Sequence, residues 1–155
     1  DHPDHEVLRD QVARFLAREV EPHAAAWEET GMVPRDVLRR MGQAGLLGIA
    51  FESEHGGGDA DALTNLVFAE ALSQSTYGGF IITVLVHTDM ASPHLHHAGT
   101  REQKAKYMRG ITSGRTITAV AMHCGRNRMR SAMPPEMMAG VAAANVTRKK
   151  NFTRP

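Results

Sequence analysis

His87, Asp89, His94, His96 and His97 crowd one short segment, and His123 and Cys124 follow further along the chain. Imidazole, carboxylate and thiolate are the groups that ligate zinc. His94 and His97 can share a helix face at an i, i+3 step, but no H-E-x-x-H motif and no paired cysteines accompany them. The expectation is therefore hydrogen-bonded or capping histidines and no metal site. Cys124 as a nucleophile needs a base and a lowered pKa; the adjacent His123 cannot readily fold back on its neighbour, so a free thiol is expected. Glu70, in a helical pattern, could act as a general base, yet a mid-helix carboxylate is ordinarily a solvated or paired surface charge. Gly56-Gly57-Gly58 could wrap a phosphate with backbone N–H groups. No Walker Lys-Ser/Thr follows it and no G-x-G-x-x-G opens a helix after a strand, so a plain loop is expected. None of these residues is assigned a catalytic role.

The elements that would position them read as helices. Asp4 is the expected cap of a helix in which Val7, Leu8, Val12, Phe15, Leu16 and Val20 recur at three- and four-residue steps, and Pro22 should kink or interrupt it before Gly31. Pro34 suits the start of a second helix carrying Val37, Leu38 and Met41 inward and ending at Gly45. Asp59 or Asp61 can cap a third through Leu63, Leu66, Val67 and Leu72. Ile81 to Val86 is apolar and β-branched, which suits a strand by local propensity, but the apolar character runs on through Met90 toward Leu95, and that length predicts a helix buried on most faces. Thr100 and Gln103 form a capping-box pattern at the start of another helix. Ile117 to Met122 reads as one strand.

The 155 residues suit one ordinary domain, and 42% apolar with 23% charged residues describes a globular chain. A single cysteine excludes an internal disulfide framework and suits a reducing compartment. No apolar run is long enough to cross a membrane, and the acidic start lacks signal-peptide order, so the expected address is cytoplasmic. The net charge of +1 hides an asymmetry: residues 1–124 hold 11 Lys and Arg against 16 Asp and Glu, residues 125–155 hold 7 against 1. A basic tail can bind nucleic acid, but this one has Phe152 as its only aromatic residue and offers no stacking platform. A poorly ordered tail without a nucleic-acid partner is expected.

Gly45-Leu46-Leu47-Gly48-Ile49, then Glu54-His55-Gly56-Gly57-Gly58, Ala69-Glu70, Pro93-His94-Leu95 and Gly99-Thr100-Arg101-Glu102-Gln103-Lys104 together resemble the N-terminal helical domain of the acyl-CoA dehydrogenases. The resemblance runs from about Glu6 to Met122, and His87-Thr88-Asp89 before Pro93 is most similar to the long-chain branch. It implies an all-α fold for this part and a flavoprotein that removes hydrogens from the α and β carbons of a fatty acyl-CoA. In the family a glutamate of a C-terminal helical bundle takes the α proton and FAD takes the β hydride. Carried over by position, Ile82, Leu85 and Val86 would wall the acyl pocket, while Val120, Met122 and His123 stand at flavin-contact positions. The same apolar residues are equally what any core helix would carry. The implied division is a helical domain over 1–116, the start of a truncated β domain over 117–124, and the basic tail 125–155.

After Met122 the resemblance stops. The family continues with Thr-Glu-Pro-Gly-x-Gly-Ser-Asp, whereas this chain has His123-Cys124-Gly125-Arg126-Asn127-Arg128-Met129-Arg130. Read one nucleotide later, Asn127 to Ala132 can be spelled Thr-Gly-Cys-Asp-Leu, close to the family text, and this favours a frameshifted origin for the tail. Met137-Met138 would place a stop in that frame, so a single slip does not explain the middle, and a genuine alternative tail is the rival. The expected function is a family fragment, inactive as this chain alone, that acts on fatty acyl-CoA only with the missing parts. The alternative is a non-catalytic helical module that binds a partner, such as another copy or a full-length relative. The tail offers Val141, Val146 and Phe152 as its large apolar residues besides methionine, too few to offset an ordering entropy of about 1–2 kcal/mol per residue. Deleting residues 125–155 is expected to leave the melting temperature almost unchanged, and a large drop would show that the tail is docked.

Overall fold

The computed structural model describes residues 2–121. The expectations for Met122, His123, Cys124 and the tail 125–155 fall outside the described residues.

Pro3 decides where the chain starts to wind. Its missing N–H and fixed φ suit the first helical position, so His2 becomes the N-cap and α1 spans Pro3–Phe15. Asp4, expected as the cap, lies instead in the first turn with Glu6, where carboxylates face the positive end of the helix dipole. Pro22 then removes a donor and crowds the carbonyl four residues back. The helix answers by widening: Leu16–Val20 forms a π turn in which the Glu21 N–H reaches the Leu16 carbonyl, and Glu21–His23 tightens to a 3-10 turn. Helical winding resumes as α2, Ala24–Thr30, which Gly31 ends at φ +67°.

Pro34 is the N-cap of α3, Arg35–Gln43. A short 3-10 turn, Ser53–His55, leads into the glycine loop. Asp61 caps α4, Ala62–Leu72, by accepting the Thr64 N–H at 2.8 Å, while Asp59 sits at φ 50° and accepts from the Ser53 N–H. α5 spans Gly78–Leu85, and the segment expected to be helical rather than strand is helical. A second π turn, Val86–Ala91, precedes Pro93 as the first one precedes Pro22. Beyond it lie α6, Ser92–Ala98, and α7, Arg101–Thr112. The capping box at Thr100 is complete: the Gln103 N–H donates to the Thr100 hydroxyl at 3.3 Å, and the Thr100 N–H donates to the Gln103 side chain at 2.9 Å.

The main core lies where α1 packs along α4, and it gathers Val12, Phe15, Val20, Met41, Phe68, Leu72, Phe80 and Val84. Each such large apolar side chain contributes about 1.5–3 kcal/mol when fully buried. A smaller cluster of Phe51, Met108 and Ile111 joins α7 to the segment before the glycine loop. Glu21 fastens the first 3-10 turn to the loop before α5, accepting from Ser75 and Thr76. Those hydrogen bonds, the Thr76 side chain first, hold its carboxyl below the usual range.

The strand expected over 117–122 is corrected by the structure: residues 117–121 form no ladder, and no strand occurs among the described residues. β-branched residues favour a pleated surface only where a neighbouring strand supplies the other half of the hydrogen bonds. Thr100→Ala is expected to cost about 0.5–2 kcal/mol of stability by removing the cap of α7, read as a lower urea midpoint with an unchanged m-value.

Candidate functional site

The residues expected to meet an acyl chain stand on α5 and the π turn after it. Ile82 is 55% exposed and Leu85 and Val86 are half-buried, with Met90 50% exposed one turn on. The expectation of a helix buried on most faces is therefore corrected: Phe80, Val84, His87 and Thr88 point into the protein, and the opposite face is open. Ile82 is not core. On α4, Leu63 and Leu66 are exposed as well, and the Asn65 side-chain amide donates to Asp89 at 2.6 Å, tying α4 to the π turn.

His87 sets which way that turn faces. It is completely buried, and its ring connects three segments. The Ile111 carbonyl can only accept, so Nε2 carries the proton and donates to it at 3.1 Å, leaving Nδ1 to accept from the Thr118 N–H at 3.1 Å. The Thr118 hydroxyl stands 2.8 Å from the same Nδ1 and 2.8 Å from the Ser92 hydroxyl. Burial pushes the His87 pKa down, against a smaller opposing effect of the Ile111 carbonyl. It is a hydrogen-bonded structural histidine holding segment 117–121. His94 and His97 are exposed on α6, and His96, half-buried, packs its ring against Phe51.

The other sequence candidates resolve plainly. The N–H groups of Gly56, Gly57 and Gly58 donate to the carbonyls of Ser53, Glu52 and Gly48, so the glycine loop has no donors to offer a phosphate. Gly57 is required because a Cβ there would run into the Phe51 carbonyl. Glu70 is exposed and paired with Arg9 at 3.1 Å. It lines an open cleft of about 240 Å³ with Arg9, Ala13, Ala71 and Gln74, which is smaller than the pockets that hold drug-sized ligands. Val120, at an expected flavin-contact position, is 40% exposed on an unladdered segment, while Met122 and His123 lie outside the described residues. Sequence reasoning passed over Glu52, Glu54 and His55, whose ligand atoms all lie within 4.8 Å of one another; their E-x-E-H spacing was the available signal.

The family model described as acyl-CoA dehydrogenase, N-terminal domain, matches residues 2–115. The chain belongs to the acyl-CoA dehydrogenase family. It is similar to the mitochondrial long-chain specific acyl-CoA dehydrogenase of Mus musculus, 38% identical over 121 residues that cover 77% of this chain and 27% of that protein. It is also similar to the short-chain specific acyl-CoA dehydrogenase of Clostridium acetobutylicum, 34% identical over 119 residues, covering 77% of this chain and 31% of that one. Among solved structures, an acyl-CoA dehydrogenase from Geobacillus kaustophilus superposes with a TM-score of 0.70 at 30% identity, covering 76% of this chain and 30% of that one. One from Bacillus anthracis, in complex with FAD, superposes with a TM-score of 0.71 at 28% identity, covering 76% and 20%. The chain thus spans about 30% of the length of the relatives it matches.

Because the folded His87 holds its proton less tightly than the unfolded one, its contribution is present above the ordinary histidine value of 6.5 and is lost as pH falls below it. His87→Leu is expected to lower stability at pH 7.5 by about 1–3 kcal/mol for each group it leaves unpaired, the Ile111 carbonyl and the Thr118 N–H. It should also shrink the loss of stability between pH 7 and pH 5, as urea unfolding at each pH would show.

Proposed function

We propose that this chain is the N-terminal helical domain of an FAD-dependent enzyme that dehydrogenates the α and β carbons of a fatty acyl-CoA, and that alone it does not catalyse that reaction. The observation that carries the reading is the outward apolar stripe of exposed Ile82 and Met90 with half-buried Val86 between them, beside Leu85, which is half-buried against the core. Such a stripe suits contact with an alkyl chain, since burying each methylene is worth about 0.8 kcal/mol. The family membership and the likeness to an FAD-bound relative support the flavin as cofactor. In this reading residues 1–116 are the helical domain and 117–124 lead into a β domain. Both a long-chain and a short-chain specific relative match, so the acyl length is set by details such as the size of residues 82, 85 and 86.

The same open apolar face suits the second reading, a non-catalytic module that docks on a partner such as a full-length relative.

The purified 155-residue chain is expected to carry no flavin absorbance and to reduce no dye with any acyl-CoA. A stoichiometric flavin band together with acyl-CoA-dependent dye reduction would overturn the claim of inactivity. Placed in the mouse long-chain relative in exchange for its matching segment, residues 2–115 should support acyl-CoA oxidation. Val86→Trp in that chimera should shorten the acyl chain accepted. A folded, flavin-loaded chimera without activity, or one whose chain-length preference ignores residue 86, would count against the pocket role. Capture of the full-length relative by the inactive chain would favour the docking module.

A further inference from the structure

Outside the apolar face, the 3-10 turn Ser53–His55 gathers ligand chemistry that the dehydrogenase reading does not use. His55 is 7% exposed, and its Nε2 is buried with no hydrogen-bond partner among the described residues. That atom nevertheless stands 3.2 Å from Glu54 Oε1 and 3.5 Å from Glu52 Oε2. Zinc held by nitrogen and carboxylate oxygen at about 2.0–2.2 Å in a tetrahedron keeps its ligand atoms about 3.3–3.6 Å apart. The two distances from His55 are close to that ligand spacing, and all three ligand atoms lie within 4.8 Å of one another.

We propose that Glu52, Glu54 and His55 form a binding site for a divalent cation of the zinc class, with a water completing the tetrahedron. Imidazole with carboxylates suits a borderline cation such as zinc, and three protein ligands with one open position is a stable arrangement for it. The two carboxylates supply the charge that balances a dication.

The turn is built to hold these groups still. The His55 N–H donates to the Glu52 carbonyl at 3.0 Å, and the Thr112 hydroxyl donates to the His55 carbonyl at 2.9 Å. The Arg109 guanidinium donates to the Glu54 carbonyl at 3.1 Å, and the Ser53 N–H donates to Asp59 at 3.1 Å. Glu52 divides its oxygens: Oε2 faces His55, while Oε1 lies 3.9 Å from Lys104 Nζ. Lys104 therefore orients the carboxylate without taking the oxygen the ion needs, although its charge weakens the site. Glu54 is 72% exposed at its side chain, which leaves a path for entry.

The inference stands independently of the dehydrogenase reading. The full chain, stripped of metal, would be titrated with zinc chloride by calorimetry, with cobalt(II) absorption reporting ligand geometry. The expected result is one equivalent of zinc bound and a melting temperature that rises with zinc. Glu54→Gln, at an exposed side chain, should keep the fold and weaken that binding about tenfold or more; His55→Asn should do the same. His94→Ala, on an exposed α6 histidine, should leave it unchanged. Absence of zinc binding by the unaltered chain overturns the site, as does binding that Glu54→Gln leaves unchanged; the cluster is then an ion pair only.

Discussion

A proline within a helical run withholds one backbone donor and presses its ring on the carbonyl four residues back. This chain meets that constraint at Pro22 and again at Pro93, and both times the residues ahead of it open into a π turn. In the second case the Ser92 N–H reaches the His87 carbonyl, five residues back. The wider turn changes which side chains face inward. His87 and Thr88 become buried while Asp89 and Met90 face out. The placement of the buried imidazole, and through it the path of residues 117–121, thus follows from a missing N–H further along the chain.

An imidazole at that place does what an apolar side chain could not. Leucine would fill the volume but leave the Ile111 carbonyl and the Thr118 N–H without partners, each a cost of about 1–3 kcal/mol. A neutral histidine has one donor and one acceptor at opposite edges, and here both are used. The arrangement favours one register: Thr118 brings both its N–H and its hydroxyl to the ring, and the apolar side chains of Ile117 and Ala119 have no hydroxyl to offer. The polar contact is local to three residues, yet it holds residues near Thr118 against the helices of their own unit.

What could be read from the sequence was what neighbouring residues decide among themselves. The capping box at Thr100 is legible because its two bonds join residues three apart, and the structure has both. The choice between Asp59 and Asp61 was not legible, since it turns on the loop, where Asp59 is occupied with Ser53. Asp4 lost the cap to His2 because Pro3 prefers the first helical position more strongly than aspartate prefers the cap in this context. The helix at 78–85 was recovered from the length of its apolar run, but its exposure was not, because burial depends on neighbours the run does not encode. Ile117 to Ala121 has strand propensity and no ladder; propensity describes what a residue tolerates, and pairing needs a second strand. Glu52, Glu54 and His55 were not legible as a cluster because the 3-10 turn is what brings their side chains together.

The composition of α5 carries one further step. A helix on the surface of a globular protein ordinarily has one apolar stripe, and a helix apolar on all sides ordinarily has neighbours on all sides. α5 is largely apolar, with Phe80 and Val84 inward, Ile81 and Leu85 half-buried against the core and Ile82 exposed. The core accounts for these residues except Ile82, and Val86 at the start of the turn is half-buried outside it. Exposed Leu63 and Leu66 on α4, which Asn65 links to the same turn, continue the uncovered surface. Scattered apolar side chains on a surface need no cause, but several on adjoining elements do. A chain that spans about 30% of its relatives' length presents this surface on the helix that the acyl-pocket reading selects. Ile82 and Val86, which the core leaves unaccounted for, are therefore both among the residues of the proposed acyl-pocket wall, so one physical cause serves for the two.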